Sequence, residues 1–141
     1  IRPYRNVTTL GPNIMKPLLI TDNFVALDDT NGARSLSVDA NFWDSLEKGE
    51  FGDFSRLISF YEFDGDWETW EKHPNGEEFV YLIEGEVELI LESNGVTSDL
   101  IMDEPNSFII VPKDTWHTAN VRKPTKMLFV TPGEGTEIKP R

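Results

Sequence analysis

The sequence predicts an all-β domain, a sandwich or barrel of short strands. After residue 53, short apolar or alternating runs follow one another and are separated by Gly, Pro and Asn, the residues of tight turns. The run EVELILE at 86–92 alternates most clearly, with Val87, Leu89 and Leu91 on one face and acids on the other. A chain of 141 residues can form one domain that buries about two-thirds of its unfolded surface.

Residues 1–53 are predicted to form an N-terminal extension of edge strands and loops. Prolines and glycines break its apolar runs, and the two pieces best suited to an extended conformation are 14–20 and 23–27. The extension is too long for an ordinary linker and too short for a second domain. We expect it to cover the barrel or to pair with a second subunit.

One short helix is predicted near residues 40–48. The helical residues are 42–48, which Asp39 or Asn41 can cap and Gly49 can end. The apolar residues of this segment would fall on one side of the helix.

Residues 54–132 are predicted to form the barrel, and residues 133–141 a C-terminal tail. The barrel strands are predicted at 54–63, 67–72, 78–84, 86–92, 96–102, 107–111, 116–121 and 126–131.

The only two histidines of the chain, His73 and His117, stand beside turns and suggest one split metal site. On an extended chain Glu71 and His73 project from the same face, because they are two residues apart. The segment 74–76 (PNG) suits a type I turn, which would return Glu78 to a neighbouring strand beside His73. Two imidazoles and one carboxylate with open positions are the ligands of many non-haem Fe(II) sites.

At these residues the chain resembles the cupin superfamily. The first cupin motif has a Gly, then His-x-His after five residues, a Glu after three or four more, and a Gly after a further six. Gly65, His73, Glu78 and Gly85 match this motif in register, and Glu71 stands where the first His would be.

The second cupin motif has a Gly, then Pro-x-Gly-x-x-His after five residues, followed by an Asn. Pro112 and His117 match it, whereas Asn106 and Asp114 stand in the two Gly places. Asn120 lies one residue earlier than the Asn of the motif.

The resemblance covers residues 54–132 and implies an antiparallel double-stranded β-helix, or jelly-roll barrel, with one metal near its centre. It implies that the metal is bound at the Glu71, His73, Glu78 and His117 places. Homodimerisation is common in the superfamily. The resemblance therefore also implies a homodimer, to which the first extended piece of the N-terminal extension could contribute a strand.

Glu71 has three interpretations: a fourth ligand, a general base beside the metal with a pKa tuned by burial, or a solvated acid that turns outward. A carboxylate in place of an imidazole adds negative charge around the ion. Among Fe, Mn, Ni and Zn this favours Fe or Mn.

The walls of the predicted site are mostly apolar. By alternation, Val80 and Leu82 share the inward direction of the candidate ligands, and so does Thr115. An apolar wall with few polar groups is typical of a small-molecule site.

These features predict a metal-dependent enzyme that acts on a small organic substrate. The cupins that this chain resembles include dioxygenases, decarboxylases, isomerases and cyclases, so the reaction type does not follow from the fold. One alternative is a non-catalytic barrel that binds or senses a small molecule or a metal. Another is a structural module with a vestigial site, which the replaced first His and the missing glycines of the second motif favour.

Composition limits the partners. Thirteen basic against 25 acidic residues give a net charge of -12, which disfavours nucleic acid and anionic membranes. Without cysteine the chain has no disulfide, thiolate metal site or Cys nucleophile. No apolar run reaches the ~20 residues of a membrane span, and the N-terminus lacks the apolar region of a signal peptide. We therefore expect a cytoplasmic protein with a small-molecule partner.

Overall fold

The computed structural model describes residues 15–141, in which strands predominate. In chain order the elements are β1 (Asn23–Leu27), β2 (Ala33–Ser37), α1 (Phe42–Glu47), β3 (Arg56–Phe63), β4 (Thr69–Lys72), β5 (Glu78–Ser93), β6 (Val96–Met102), β7 (Phe108–Val111), β8 (Trp116–Thr131) and β9 (Glu137–Pro140). The strands pair antiparallel throughout these residues. The predicted all-β class is confirmed.

β5 and β8 are long, bent strands of 16 residues each. The sequence predicts two strands in place of each, 78–84 and 86–92 in the first and 116–121 and 126–131 in the second, and this prediction is wrong. Gly85 has a φ of 110°, and the β5–β8 register shifts on both sides of it. The chain therefore bends through bulges without leaving the ladder.

The bent β5–β8 ribbon folds the sheet over, so that its two halves enclose the core. β7 pairs with the first half of β5 and β6 with the second, while β3 and β4 pair with opposite halves of β8. Val80, Leu82, Val87 and Leu89 point into the core with no exposed surface, and Leu91 packs against it partly buried. Their predicted inward direction is confirmed.

The N-terminal extension adds β1, β2 and α1 to one side of this barrel. β1 pairs with β2 and with β3, which gives the strand order β2-β1-β3-β8-β4-β9. Phe24 of β1 and Phe42 of α1 pack edge to face, with ring centroids 5.1 Å apart. Together with Ala26, Leu36 and Leu57 they form a second apolar cluster, which fixes the extension to the barrel.

Helix α1 lies close to its predicted position. Asn41 occupies the N-cap without a capping side-chain hydrogen bond, and the Asp39 carboxylate accepts a hydrogen bond from the backbone N–H of Asn41 at 2.8 Å. Gly49 follows the helix with a φ of 72°, as expected for a glycine just after a helix. Within residues 15–141, no helix combines the length and apolarity needed to cross a membrane.

The predicted strand at 14–20 is not formed by its described part. Residues 15–19 have no regular structure and lead into a turn, in which the backbone N–H of Asn23 donates to the carbonyl of Leu19. Pro17 has no N–H to offer a ladder. Ile14 lies outside the described residues.

The predicted C-terminal tail, 133–141, contains strand β9. This strand pairs with β4 over four residues, from Lys72 opposite Glu137 to Thr69 opposite Pro140. Ile138 is its only apolar residue apart from the terminal proline, so the segment carries too little alternation to predict a strand. The domain boundaries at 53 and 132 stay a prediction.

Candidate metal centre

The structure brings the four predicted side chains together inside the barrel. Glu71 lies on β4 and is paired with His117 of β8 in the antiparallel ladder. His73 follows β4, and the turn at 74–76 returns the chain so that Glu78 begins β5. Glu71 and His117 are 46 residues apart in sequence and become neighbours through the β4–β8 ladder, and the turn brings Glu78 beside them.

The distances among the donor atoms suit a single ion. Nε2 of His117 lies 3.0 Å from Oε1 of Glu78, and Nε2 of His73 lies 3.2 Å from Oε2 of Glu78. Oε2 of Glu71 lies 3.8 Å from Nε2 of His73. Glu71, His73 and His117 each offer one ligand atom within 4.8 Å of the other two. Two atoms bonded at right angles to one ion, each ~2.1 Å from it, lie ~3.0 Å apart.

Three of these donor atoms are buried without a hydrogen bond. His117 is fully buried, and His73 and Glu78 are 4% and 3% exposed. Within residues 15–141, Nε2 of both histidines and Oε1 of Glu78 have no hydrogen-bond partner. Buried polar atoms are nearly always satisfied. A cation between them would meet all three, so the residues present fit a divalent metal.

Both imidazole rings are oriented by a contact at Nδ1. Nδ1 of His117 lies 3.2 Å from the carbonyl of Thr115, which can only accept, so this nitrogen carries a proton. Nδ1 of His73 lies 2.9 Å from the hydroxyl of Thr136, whose own proton is donated to the carbonyl of Gly133 at 2.7 Å. Thr136 therefore accepts from His73. In both rings Nε2 is left as the atom that can offer a lone pair to a metal.

Replacing Thr136 with Val should weaken metal binding by about tenfold to a hundredfold, because Nδ1 of His73 loses its acceptor while the side-chain shape is kept. Thr136→Ser keeps the hydroxyl and should bind metal like the parent. Thr97→Val, at an exposed position of β6, controls for the substitution itself. Affinity is measured by competition with a chelator, and equal Kd values for Thr136→Val and the parent would contradict this role.

Glu78 is held as an anion. Its Oε2 accepts a hydrogen bond from the hydroxyl of Thr131 at 2.6 Å. Burial raises the pKa of Glu78, but the adjacent His117 and His73 outweigh burial and hold this pKa at about 2. A buried carboxylate needs a compensating positive charge, which a protonated imidazole or a metal ion can supply.

Glu71 is the one candidate ligand that solvent reaches, with 35% of its side chain exposed. Burial nevertheless raises the pKa of Glu71, and the negative charge of Glu78 raises it further. A carboxyl group that is partly exposed and yet surrounded by protein lies in a recess. Its side chain does not turn outward, so the ligand and base interpretations remain.

Metal affinity should fall as the pH is lowered. Burial lowers the pKa of His117, but the adjoining Glu78 carboxylate raises it by more, so this pKa lies above its usual range. In the metal-free protein His117 therefore keeps its second proton to a higher pH, and a metal ion that binds must displace that proton. Below that pKa the logarithm of the association constant should rise by about one per pH unit, and above it should level off. Metal affinity measured against a chelator across this pH range gives the slope. An affinity independent of pH would contradict the competition between a proton and the metal ion at His117.

Aromatic rings line the site. The Trp67 ring centroid lies 6.2 Å from that of His117 and 6.0 Å from that of Phe129, and Tyr61 packs against Phe129 at 5.8 Å. Nε1 of Trp67 is buried and has no hydrogen-bond partner within residues 15–141. The other residues predicted to point inward, Val80, Leu82 and Thr115, are buried as well. The surroundings are therefore apolar, as the alternation predicts.

The two missing glycines of the second motif are replaced without a change of backbone class. Asn106 and Asp114 have φ values of 69° and 61°, in the left-handed region that glycine fills most easily. Asn and Asp are the other residues that adopt this region readily. The backbone N–H of Asp114 donates to the carbonyl of His73 at 3.0 Å, which ties the two motif loops together. The loss of these glycines is therefore no sign of a vestigial site.

Sequence reasoning missed the threonines that support the site. Thr131 lies 53 residues after Glu78, and Thr136 lies 63 residues after His73. Neither falls in a motif, and a lone threonine has no periodic signal. Only the three-dimensional pairing reveals them.

Comparisons with known proteins agree with this fold. The Cupin domain family matches residues 62–131. None of the curated proteins that were searched matches the chain.

Several solved structures are similar at low sequence identity. Coconut allergen cocosin is 10% identical with a TM-score of 0.52, over 61% of this chain and 24% of that one. Peruvianin-I, a cysteine peptidase from Thevetia peruviana latex, is 16% identical with a TM-score of 0.51, over 61% of this chain and 56% of that one. A cupin-2 domain containing protein from Shewanella frigidimarina is 15% identical with a TM-score of 0.45, over 62% of this chain and 72% of that one.

Sequence identities this low support a similarity of fold alone. The matched regions span less than two thirds of cocosin and of Peruvianin-I. The family match covers both motif segments and the strands that carry them. With its confirmed antiparallel jelly-roll barrel, the chain belongs to the cupin superfamily.

Proposed function

We propose that this protein is a metal-dependent cupin-type enzyme acting on a small organic substrate. One divalent ion would be held by His73, Glu78 and His117, with Glu71 as a fourth ligand or as a base beside the ion. The observation that carries the proposal is the convergence of three buried donor atoms that lack hydrogen-bond partners within the described residues. A structural core has no need of such atoms, whereas a metal site requires them.

A bound divalent ion would polarise an oxygen atom of the substrate or activate dioxygen. The chain's own residues prepare the site for it. Thr131, Thr136 and the carbonyl of Thr115 hold the donor atoms in orientation. Trp67 packs beside His117 with Phe129 against Trp67, and these rings exclude water from that side. The recess at Glu71 leaves one direction of approach for a substrate.

Glu71 is suited to hold a proton at its carboxyl group. Burial and the charge of Glu78 raise the pKa of Glu71, and its partial exposure lets it contact a bound molecule. As a base, it would take a proton from a substrate lying in the recess.

Glu71→Gln should retain most of the metal, with affinity reduced by no more than about tenfold, since the three buried donor atoms remain. The metal content of the purified variant shows how much metal is retained. Glu77→Gln is the matched control, because Glu77 is an exposed acid next to Glu78. A loss of metal as complete as that of a variant without His117 would instead make Glu71 an essential ligand and remove the base interpretation.

The donor set favours Fe or Mn over Ni or Zn. Two carboxylates beside two imidazoles are harder ligands than three imidazoles, and their charge balances that of a divalent ion. Protein loaded mainly with copper would count against this choice.

We further propose that the protein is a cytoplasmic homodimer with a small-molecule partner. Its net charge of -12 supports the absence of nucleic acid and anionic membrane partners. The superfamily resemblance supports the dimer.

Oxygen uptake by Fe(II)-loaded protein over a panel of phenols, diols and oxo acids tests the dioxygenase form of the proposal, and product analysis under anaerobic conditions tests the isomerase, decarboxylase and cyclase forms. Turnover that disappears in His117→Ala is expected. If fully loaded protein converts nothing in either format, the non-catalytic metal- or small-molecule-binding module replaces the enzyme.

A further inference from the structure

Tyr61 projects into the barrel on the side of the metal centre. It lies on β3, where Leu57 and Ser59 are buried, and alternation places Tyr61 on the same inward face. β3 and β4 pair with opposite halves of β8, so Tyr61 and Glu71 project from facing sheets. Burial raises the pKa of the Tyr61 hydroxyl, and the negative charges of Glu71 and Glu78 raise it further. The hydroxyl therefore keeps its proton at neutral pH and lies within the field of both acids.

The N-terminal extension supplies a residue that orients this hydroxyl. Trp43 of α1 stacks on the Tyr61 ring, with centroids 6.1 Å apart and an angle of 15° between the ring planes. The Trp43 side chain lowers the pKa of the Tyr61 hydroxyl, in opposition to burial. The one polar group of an indole is its N–H, which can only donate. The Tyr61 oxygen is therefore an acceptor for Trp43, and its own proton remains for another acceptor.

The Tyr61 ring is held on several sides. Phe24, Phe63 and Phe129 pack against it with ring centroids 5.9, 5.7 and 5.8 Å away. A ring packed in this way has little freedom to lose when its hydroxyl binds a ligand. The packing accounts for the ring but not for the hydroxyl, because a phenylalanine would make the same ring contacts.

The electrostatics of the recess favour a neutral ligand. Burial and Glu78 raise the pKa of Glu71, and the two histidines of the metal centre lower it. Within residues 15–141, no lysine or arginine is among the groups that shift this pKa. A divalent ion beside two carboxylates has no net charge left with which to attract an anion. The recess therefore offers one acceptor, Glu71, and one donor, the hydroxyl of Tyr61.

We propose that the substrate is a neutral hydroxylated molecule whose hydroxyl lies between Tyr61 and Glu71, and that Trp43 is the positioning residue for Tyr61. The substrate hydroxyl accepts a hydrogen bond from Tyr61 and donates one to Glu71. This inference rests on the proposed metal-dependent function, because the metal centre forms the inner end of the recess. It assigns substrate specificity to Tyr61 and to the helix of the N-terminal extension.

Binding of phenol to Zn(II)-loaded protein tests the role of Tyr61 without redox turnover. Isothermal titration calorimetry measures the Kd. Tyr61→Phe should raise this Kd by about tenfold, since one hydrogen bond is lost, and should keep the bound zinc. Tyr81→Phe is the matched control, because the Tyr81 hydroxyl donates to Asn106 at 2.7 Å, away from the metal centre. The control should keep the parent Kd for phenol.

A double-mutant cycle tests the role of Trp43. Trp43→Phe keeps a ring against Tyr61 but removes the indole N–H, and it should raise the Kd for phenol by about threefold. In the Tyr61→Phe background the same substitution should leave the Kd unchanged, because Trp43 acts through the Tyr61 hydroxyl. Trp43 is 50% exposed, so the variant is expected to fold. Effects that simply add in the double variant would overturn the positioning role.

Two further probes test the substrate class. Toluene has nearly the size of phenol but no hydroxyl, and benzoate carries a negative charge. Each should bind the zinc-loaded parent at least about tenfold more weakly than phenol does. Binding of either probe as tight as that of phenol would overturn the assignment of a neutral hydroxylated substrate.

The failure of this inference can be distinguished from the failure of the proposed function. A parent protein that takes up no zinc would contradict the metal site, and the inference would fall with it. A zinc-loaded parent whose Kd for phenol is unchanged by Tyr61→Phe would overturn the inference alone. The same holds for a zinc-loaded parent that binds no phenol at about 10 mM.

Discussion

His117→Ala should lose its metal, with affinity reduced by well over about a hundredfold. Residues that only orient a ligand contribute about tenfold to a hundredfold, and His117 offers its donor atom directly. Nε2 of His117 lies 3.0 Å from Oε1 of Glu78, and both are buried. Without the imidazole, the Glu78 carboxylate keeps only its hydrogen bond from Thr131 and one neighbouring ring, so the metal-free protein should also be destabilised by about 2–4 kcal/mol.

Metal titration and thermal unfolding measure the two effects. Thr118→Val is the matched control, because Thr118 is equally buried and donates to the carbonyl of Thr69 at 2.8 Å, away from the site. It should lower stability by about 1 kcal/mol and keep the metal. A His117→Ala protein that binds metal as the parent does would remove His117 from the site.

Gly85→Ala should destabilise the protein by about 3 kcal/mol or more and lower its melting temperature by about 10 °C. Gly85 has a φ of 110°, which a residue with a Cβ rarely adopts. A Cβ there would also lie 2.6 Å from the carbonyl oxygen of Pro124 and within 2.6 Å of the Cα of Thr125. These backbone atoms belong to the β8 bend, so neither strand can yield independently.

Gly65→Ala is the control from the same motif. A Cβ at Gly65 would meet no atom within 4 Å, so this variant should stay within about 0.5 kcal/mol of the parent. The expected difference separates a glycine that the bend requires from one that the motif merely contains. Similar unfolding of both variants would refute the account of the bend.

Part of this structure follows from local sequence. The alternation at 86–92 predicts which side chains point to the core, because one face of the strand is turned to water and the other to the interior. The turn at 74–76 predicts that His73 and Glu78 become neighbours, because a reversal of known length fixes their relation. Both predictions depend on residues close in sequence.

The features that were not predicted depend on distant pairing. The merging of two strands into β8 follows from its ladder with β5, since residues between 121 and 126 have no strand pattern of their own. Strand β9 exists because β4 offers it an edge. The hydroxyl of Thr136 is placed at His73 by the same return of the chain. A sequence pattern contains none of these contacts.

The most direct test of the metal site is the metal content of the untagged parent protein, measured by plasma mass spectrometry as purified and after anaerobic reconstitution. We expect close to one first-row divalent ion per chain, mainly iron or manganese, bound at His73, Glu78 and His117. A protein that carries no metal and takes up none on reconstitution would contradict it, because the three buried donor atoms would then have no partner to bind.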